Sequence, residues 1–264
     1  MGIRIIVKDA DFSDNAVGYS APVPEGLEYL NFFGGTAARL QRNLALGKPA
    51  AVMVGTPTIN ADSAIFTPLT HYIQTFAPDA HNKTLFVVAR VPATKVDSML
   101  LSNSRSPRTT GPAGLPTTTA SSLMYRGTGT PGVDQVAEQF FATQWDGATN
   151  ASSNPTAVVL NNRPVGTLNA LIGRTNAGDG LLASTKYRKI DNKTTGAKLA
   201  GSFTGAVFDL AGTYRIGSSY AAFAGTVPTE ILFAAIWSRE LTDSEIETMY
   251  QAVKAYYARR GIAI

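Results

Sequence analysis

The chain of 264 residues contains no cysteine and carries a formal net charge of +4 at pH 7. The missing cysteines exclude thiolate nucleophiles and cysteine-ligated metals, and so small a charge is not typical of a nucleic-acid-binding protein. With 24 glycines, 14 prolines and only 16% charged residues, the composition predicts many turns and short strands. The length fits one large β domain or two small ones.

The N-terminal residues, MGIRIIVKDADF, lack the apolar core of a signal peptide, and no window is apolar for long enough to cross a bilayer. We therefore expect synthesis in the cytoplasm and no membrane insertion. Residues 1–25 are interpreted as a strand followed by an extended arm, and residues 26–264 as the main domain. Asp9, Asp11 and Asp14 form either a calcium loop or an Asp/Asn-rich turn; the glycine and distal acid of an EF-hand are missing.

Two segments, residues 84–91 and 230–237, are apolar at nearly every position, which is typical of strands buried on both faces. We expect these two strands to be neighbours. Residues 27–33 are ambiguous, and a short helix is predicted around residues 37–44. Further strands are predicted at residues 50–54, 65–66, 121–125, 136–143, 157–160, 167–172, 185–190, 206–210 and 213–216. Because neither their spacing nor their residues repeat, a two-sheet sandwich is favoured over a solenoid or propeller.

Three connecting segments carry their own predictions. The longest polar tract, residues 102–132, is predicted to be mostly an extended loop, and long loops on β scaffolds often carry recognition. The sequence NNRPVG at 161–166 predicts a hairpin between the strands that flank it. The densest basic run, residues 186–193 extended by Lys198, suits a solvated hairpin or contact with an anionic glycan or phosphate.

The C-terminal segment predicts one capped amphipathic helix. Thr242 and Glu245 have the spacing of a capping box, and Leu241 and Ile246 that of a hydrophobic staple. Apolar residues then recur at helical spacing, so one face of the helix is expected to pack on a sheet. These residues are Ile246, Met249, Tyr250, Val253 and Tyr257.

The same segment carries a resemblance. The order RIGSS, FAG, a strand ending in WSREL, and then TDSEIETMY is similar to the last two strands and closing helix of the concanavalin A-like (laminin-G-like) jelly-roll domains. The resemblance implies an all-β, two-sheet antiparallel jelly-roll sandwich with one C-terminal α-helix, in which residues 84–91 lie in the middle of a sheet. The stretches KDADFSDNAVGY and NLALGKPAAVMVGTPTINADSAIFTP are similar to parts of bacteriophage and prophage tail and receptor-binding proteins.

Residues suited to catalysis are sparse. His71 and His81 have no carboxylate or cysteine companions and make a poor metal site, and no G-x-S-x-G sequence occurs. The glucanases of the resembled superfamily carry a cluster of acids on one strand, whereas Glu138 is isolated here and Glu245 and Glu247 belong to the closing helix. We therefore predict a protein that is not an enzyme and that uses no cofactor or metal.

A carbohydrate-binding site remains the favoured interpretation. Sugar sites combine an aromatic ring with a few convergent polar groups. Trp145, Asp146 and Asn150 offer a ring, a carboxylate and an amide on one predicted loop, although Trp145 could instead be a core or rim residue. Further candidates are Tyr125, Arg126 and Tyr220. Trp237 and the tyrosines of the closing helix are interpreted as packing residues.

The resemblance implies a non-catalytic tail or virion protein that recognises bacterial surface polysaccharide during host adsorption. Its expected partners are that polysaccharide and other virion proteins, without nucleic acid, and its expected location is the virion. Virion lectins of this kind are often homotrimers, so we expect a homo-oligomer. The main alternative is a virion decoration or tail-assembly protein without a sugar site, and a third class is an enzyme that cleaves or deacetylates glycan.

Overall fold

The computed structural model of the chain describes most of the sequence and most of the predicted elements. The described residues are 19–94, 96–107, 121–127, 135–142, 144–145, 152–153, 157–179, 181, 183–208, 210–222 and 227–264. The strand predicted at residues 3–7, the acidic turn at Asp9, Asp11 and Asp14, and most of the tract at 102–132 lie outside these residues.

Two antiparallel sheets pack face to face, and a third, small sheet lies beside them. Sheet A contains, in spatial order, β15 (Lys198–Phe203), β14 (Lys186–Asn192), β13 (Leu168–Asn176), β6 (Lys83–Arg90), β18 (Thr229–Trp237), β4 (Ala64–Phe66) and β3 (Thr58–Ile59), and β1 (Leu27–Phe32) also pairs with β18. Sheet B contains β12 (Val158–Pro164), β9 (Gln135–Ala142), β8 (Ser121–Gly127), β7 (Ser98–Ser102), β17 (Arg215–Ile216), β5 (Tyr72–Gln74) and β2 (Val52–Val54). The small sheet contains β11 (Ser152–Ser153), β10 (Gln144–Trp145) and β16 (Val207–Phe208).

The two apolar strands are neighbours at the centre of sheet A, as predicted. Ala235 of β18 lies opposite Phe86 of β6 in an antiparallel register. Side chains of a strand alternate between the two faces of a sheet. Thus Leu85 and Val87 enter the core between the sheets, while Phe86 and Val88 lie on the outer face of sheet A. Continuous apolar sequence is needed here because both faces of the strand are buried.

A C-terminal helix, α2 (Asp243–Ala258), covers the outer face of sheet A. The predicted capping box is present: the Thr242 hydroxyl accepts from the Glu245 amide at 3.2 Å, and the Thr242 amide donates to the Glu245 carboxylate at 2.8 Å. Tyr257 is fully buried and its hydroxyl donates to the Leu232 carbonyl of β18. The packing roles predicted for the helix and for Trp237, also fully buried, are therefore confirmed.

The segment before β2 contains a strand and a short helix. Of the ambiguous residues 27–33, Leu27–Phe32 form strand β1, and α1 (Ala37–Leu40) occupies the region where a short helix was predicted. Asn31 of β1 donates to the carbonyls of Arg39 and Leu40 at 2.9 and 3.1 Å and so fixes this helix. Ala21 and Val23 are buried in the outer cluster of sheet A, whereas the boundary predicted at residue 25 stays a prediction.

Two predictions for connecting segments need correction. Strands β12 and β13, on either side of NNRPVG, do not form a hairpin: β12 pairs with β9 in sheet B, and β13 pairs with β6 and β14 in sheet A. The basic run does form a hairpin, since β14 pairs with β15. However, it is not simply solvated, because Lys186 and Arg188 are buried while only the alternate positions face outward.

The resulting fold is a two-sheet antiparallel β-sandwich with a helix packed on one side. Within the described part of the chain, no helix is long and apolar enough to cross a membrane. The outer face of sheet A is occupied by α2.

Candidate functional site

A row of side chains crosses the outer face of sheet B at its β2 end. Val52 of β2 lies opposite Gln74 of β5, Gln74 lies opposite Arg215 of β17, and Arg215 lies opposite Ser102 of β7. The neighbour of Arg215 along the strand, Ile216, points the other way and is fully buried in the core. Because β17 lies between two strands, the Arg215 backbone is held on both sides.

Arg215 lies between two aromatic rings. The centre of its guanidinium group is 3.7 Å from the centroid of the Tyr220 ring and 4.4 Å from that of Tyr72. Its Nε donates to Gln74 Oε1 at 2.8 Å, and its Nη1 donates to the Ser219 carbonyl at 3.0 Å. Cation–π contact with both rings and these two hydrogen bonds fix the plane of the guanidinium group.

Gln74 connects Arg215 to the hydroxyl group of Tyr220. Its Nε2 lies 3.0 Å from both Tyr220 Oη and Thr213 Oγ1, and the Tyr220 hydroxyl donates to the Thr213 carbonyl at 2.9 Å. We call the set of Tyr72, Gln74, Thr213, Arg215 and Tyr220 the Arg215 platform. Since its members bond to each other, the platform is preorganised, and ligand binding would order few further side chains.

A glycine turn returns the chain over the sheet and places Tyr220. Gly217 has a φ of +76°, and a Cβ at this position would lie only 2.2 Å from Phe66 Cβ, so both its conformation and its contact require glycine. The Ser218 hydroxyl then accepts from the Leu69 amide at 2.8 Å, and the Tyr220 amide donates to the Ser104 carbonyl at 2.9 Å. These contacts hold the turn against β17.

Two exposed apolar side chains border the platform. Val52, opposite Gln74, is 44% exposed, and Phe76, two residues after Gln74, is 51% exposed. Since Ile73, Thr75 and Ala77 are all buried, the extended chain directs Phe76 outward beside Gln74. The surface thus combines a fixed cation, aromatic rings, an amide and exposed apolar groups.

The side chains of the platform suit binding. None of its five members is a carboxylate, a histidine or a cysteine, the groups that usually transfer protons or hold metals. Within the described ranges no cluster of three or more His, Cys, Asp and Glu side chains could hold a metal ion. Aromatic faces with a few fixed polar groups are the components of a small-ligand site.

Of the predicted site residues whose side chains the structure describes, which are Tyr125, Arg126 and Tyr220, only Tyr220 belongs to the platform. The prediction that Tyr125 binds carbohydrate is wrong. Tyr125 is fully buried, its hydroxyl donates to the Ala89 carbonyl at 3.1 Å, and burial raises its pKa well above the ordinary value. It therefore offers no face to a ligand. Arg126 is exposed, and Arg126 Nη1 lies 3.4 Å from Gln139 Oε1. Ser102 lies opposite Arg215 on one side and opposite Ser122 of β8 on the other. Arg126 is four residues beyond Ser122 on β8, so it lies roughly 13 Å from the row of Arg215, measured along the strands.

The loop predicted to hold the main site is described only in part. The backbone of Trp145 pairs with Val207 and with Ser152 in the small third sheet. Asp146 and Asn150 lie outside the described residues, and their predicted roles stay predictions.

Four residues of the platform were missed by sequence reasoning, namely Tyr72, Gln74, Thr213 and Arg215. The first two lie more than a hundred residues before the other two, so no local motif joins them. One signal was present in RIGSS, where Arg215 precedes a core isoleucine on a predicted strand and must therefore face outward. The sequence does not show that two tyrosines flank it.

Other polar clusters are buried and structural. The Asp79 carboxylate accepts from Lys83, from the Tyr214 hydroxyl at 2.5 Å and from the Ala211 amide at 3.1 Å, all inside one end of the sandwich. Glu138 is also buried, where it accepts from Asn192 at 2.8 Å. These groups are satisfied by protein partners, as buried charges must be.

Comparison with known proteins shows the fold. No family model matches the sequence, and no curated protein matches it. The receptor-binding domain of botulinum neurotoxin C/D mosaic serotype is a similar solved structure, with a TM-score of 0.58, 10% identity and coverage of 87% of this chain and 52% of that one. A second is Trypanosoma rangeli sialidase in complex with sialic acid, with a TM-score of 0.53, 15% identity and coverage of 88% and 34%.

The receptor-binding domain of botulinum neurotoxin type G is a third, with a TM-score of 0.56, 10% identity and coverage of 87% and 52%. This chain spans about half the length of the toxin chains and a third of the sialidase chain. At such low identity the likeness concerns architecture alone. The protein has a jelly-roll-like β-sandwich fold, which these receptor-binding and sialidase structures share.

Proposed function

We propose that this protein is a non-catalytic carbohydrate-binding β-sandwich domain whose binding surface is the Arg215 platform. The observation that carries the proposal is the fixed stack of Tyr72, Arg215 and Tyr220 on the outer face of sheet B. Proteins of similar fold include receptor-binding domains and a sialidase in complex with sialic acid, which agrees with a binding role on this scaffold.

The chemistry of the platform suits a sugar. A pyranose ring has an apolar face that packs against aromatic or aliphatic surface, and hydroxyl groups at its edge that need hydrogen-bond partners. Phe76 and Val52 offer exposed apolar surface beside Gln74 and Arg215, which offer amide and guanidinium groups. We expect a single exposed site of this kind to bind a sugar weakly. Several copies of the domain in one oligomer raise the overall affinity through effective concentration.

The biological setting of the proposal is the tail or virion of a bacteriophage, where the domain recognises bacterial surface polysaccharide during adsorption. The support is the resemblance of KDADFSDNAVGY and of the segment at residues 43–68 to tail and receptor-binding proteins. In this setting a homo-oligomer, such as a trimer, presents several platforms to one cell surface, and other virion proteins are its protein partners.

The test is binding of the purified oligomer to a panel of bacterial surface polysaccharides. We expect saturable binding that Tyr220→Ala weakens severalfold or more, because this change removes one side of the stack and the hydroxyl bonded to Gln74 and Thr213. Tyr187→Ala is the matched control, since Tyr187 is an exposed tyrosine of β14 in sheet A. Trp145→Ala distinguishes the platform from the loop predicted by sequence.

A purely structural virion protein is the second candidate. It is favoured by the exposed side chains of Val52 and Phe76, since apolar surface of this kind also occurs at protein contacts. Absence of binding to every glycan, by a folded and correctly assembled sample, together with recovery of tail proteins in pull-downs, would favour this candidate. Release of products from a polysaccharide would instead identify an enzyme.

A further inference from the structure

Within the described part of the chain, no carboxylate forms an ion pair with Arg215. Five arginines elsewhere in the described chain pair with acids, namely Arg90 with Glu230, Arg163 with Glu138, Arg174 with Asp191 and Asp243, Arg239 with Glu245, and Arg260 with Asp62. Among the described residues, the groups that contact Arg215 are neutral: the Gln74 amide, the Ser219 carbonyl and two tyrosine rings. Its positive charge is therefore available to an anionic ligand.

Arg215 is also accessible, unlike Arg188, a second arginine that contacts an aromatic ring and a carbonyl group. Arg188 is only 1% exposed, and its contacts are the Phe203 ring and the Ala142 carbonyl. Arg215 is partly exposed on the sheet surface. A guanidinium group has five N–H donors, and Arg215 uses two of them in the protein, which leaves three for a ligand.

The environment of the guanidinium group strengthens its interaction with an anion. Val52 and Phe76 are exposed beside Gln74, so a ligand lying there replaces water with apolar surface, and charge–charge interactions become stronger as water is excluded.

We propose that the Arg215 platform selects acidic saccharides, which bind through a sugar carboxylate at Arg215 and an apolar ring face beside it. The planar fork of arginine matches both oxygens of a carboxylate, and such charge-assisted hydrogen bonds are roughly twice as strong as neutral ones. A neutral sugar would leave the guanidinium charge uncompensated. This inference rests on the proposed function, because it names the class of sugar that the same site takes.

The test compares two ligands that differ only at the carboxyl group. The probes are a bacterial capsular polysaccharide with glucuronic acid in its repeat and the same polysaccharide after chemical reduction of the carboxyl groups to primary alcohols. For the unmodified protein, reduction should lower the affinity on the order of ten- to a hundredfold, the size expected for hydrogen bonds to a charged group.

The variants assign this preference to one side chain. Arg215→Gln should bind both polysaccharides equally weakly, and Arg215→Lys should keep only part of the preference, since lysine retains the charge without the planar fork. Arg259→Gln is the matched control, because Arg259 is an exposed arginine at the end of α2, over sheet A. It should behave as the unmodified protein does. Unfolding midpoints of all variants verify that each is folded.

The outcomes separate the inference from the proposed function. Equal binding of both probes, still weakened by Tyr220→Ala, would overturn selection of acidic sugars and leave the platform as a sugar site. A preference for the acidic probe that survives in both Arg215→Gln and Arg215→Lys would also overturn the inference. Failure of every polysaccharide in the panel to bind would overturn the proposed function and the inference together.

Discussion

Gly173→Ala tests how closely the two sheets pack. Gly173 lies on β13 of sheet A, and a Cβ there would lie 2.4 Å from Cδ2 and 2.8 Å from Cε2 of Phe140, on β9 of the facing sheet. Ordinary carbon contacts start near 3.4 Å, so the methyl group requires a movement of about 1 Å. Phe140 is fully buried, so a movement of its ring must displace neighbouring core side chains.

The expected loss of stability follows from two opposing effects. Overpacking a core usually costs ~1–3 kcal/mol. Replacing a strand glycine with alanine returns about 0.5–1 kcal/mol, because the unfolded chain becomes less flexible. We therefore expect the free energy of unfolding of Gly173→Ala to fall by about 1–2 kcal/mol, measured by urea denaturation with an unchanged m value.

A second substitution identifies the contact responsible. Phe140→Leu shortens the side chain that the new methyl group meets, so the double variant should be more stable than the sum of the single effects by about 1 kcal/mol. Gly201→Ala is the matched control on β15, where the Cβ would meet only Val158 Cγ1 at 3.1 Å. Strict additivity in the double variant, or a stabilised Gly173→Ala, would refute the packing described here.

Three further predictions concern the cap, the buried ion pair and pH. Thr242→Ala removes the capping box with Glu245 and should cost ~1 kcal/mol in urea unfolding, and an unchanged midpoint would contradict this. Asp79→Ala leaves the buried Lys83 ammonium without its acid and should cost ~3–5 kcal/mol; a loss below about 1 kcal/mol would contradict it. Burial raises the pKa of Glu138, so the folded state holds its proton more tightly than the unfolded state does. That stabilisation is complete below the ordinary pKa of 4.5 and is lost as pH rises through the raised value, so the protein should lose stability relative to Glu138→Gln over this range. A stability difference that is constant from pH 4 to 7 would contradict the assignment.

The sequence was sufficient for the elements whose pattern is local. The capping box at Thr242 and the apolar face of α2 depend on residues three and four apart, so they could be predicted directly. The central strands were found because burial on both faces requires an unbroken apolar run. Pairing is a long-range property, and the hairpin expected at NNRPVG failed because the chain crosses from sheet B to sheet A between β12 and β13.

The site was harder to predict because its parts are distant in sequence. Tyr220 could be selected as an aromatic residue in a glycine turn, but its contact with Arg215 and with Gln74 depends on the pairing of β5 with β17. Tyr125 was predicted to bind a ligand but is buried. It shares the inward face of β8 with Leu123, and this alternation places its ring in the core between the sheets.

Nuclear magnetic resonance of the arginine side chains tests the central claim most directly. The Nε–H signal of Arg215, assigned by its absence in Arg215→Lys, would be followed during titration with oligosaccharides of a polysaccharide that binds. We expect a saturable shift of this signal and of the Gln74 amide, with little change at Arg259 on the other side of sheet A. Saturable shifts that leave Arg215 and Gln74 unchanged while other residues respond would contradict it.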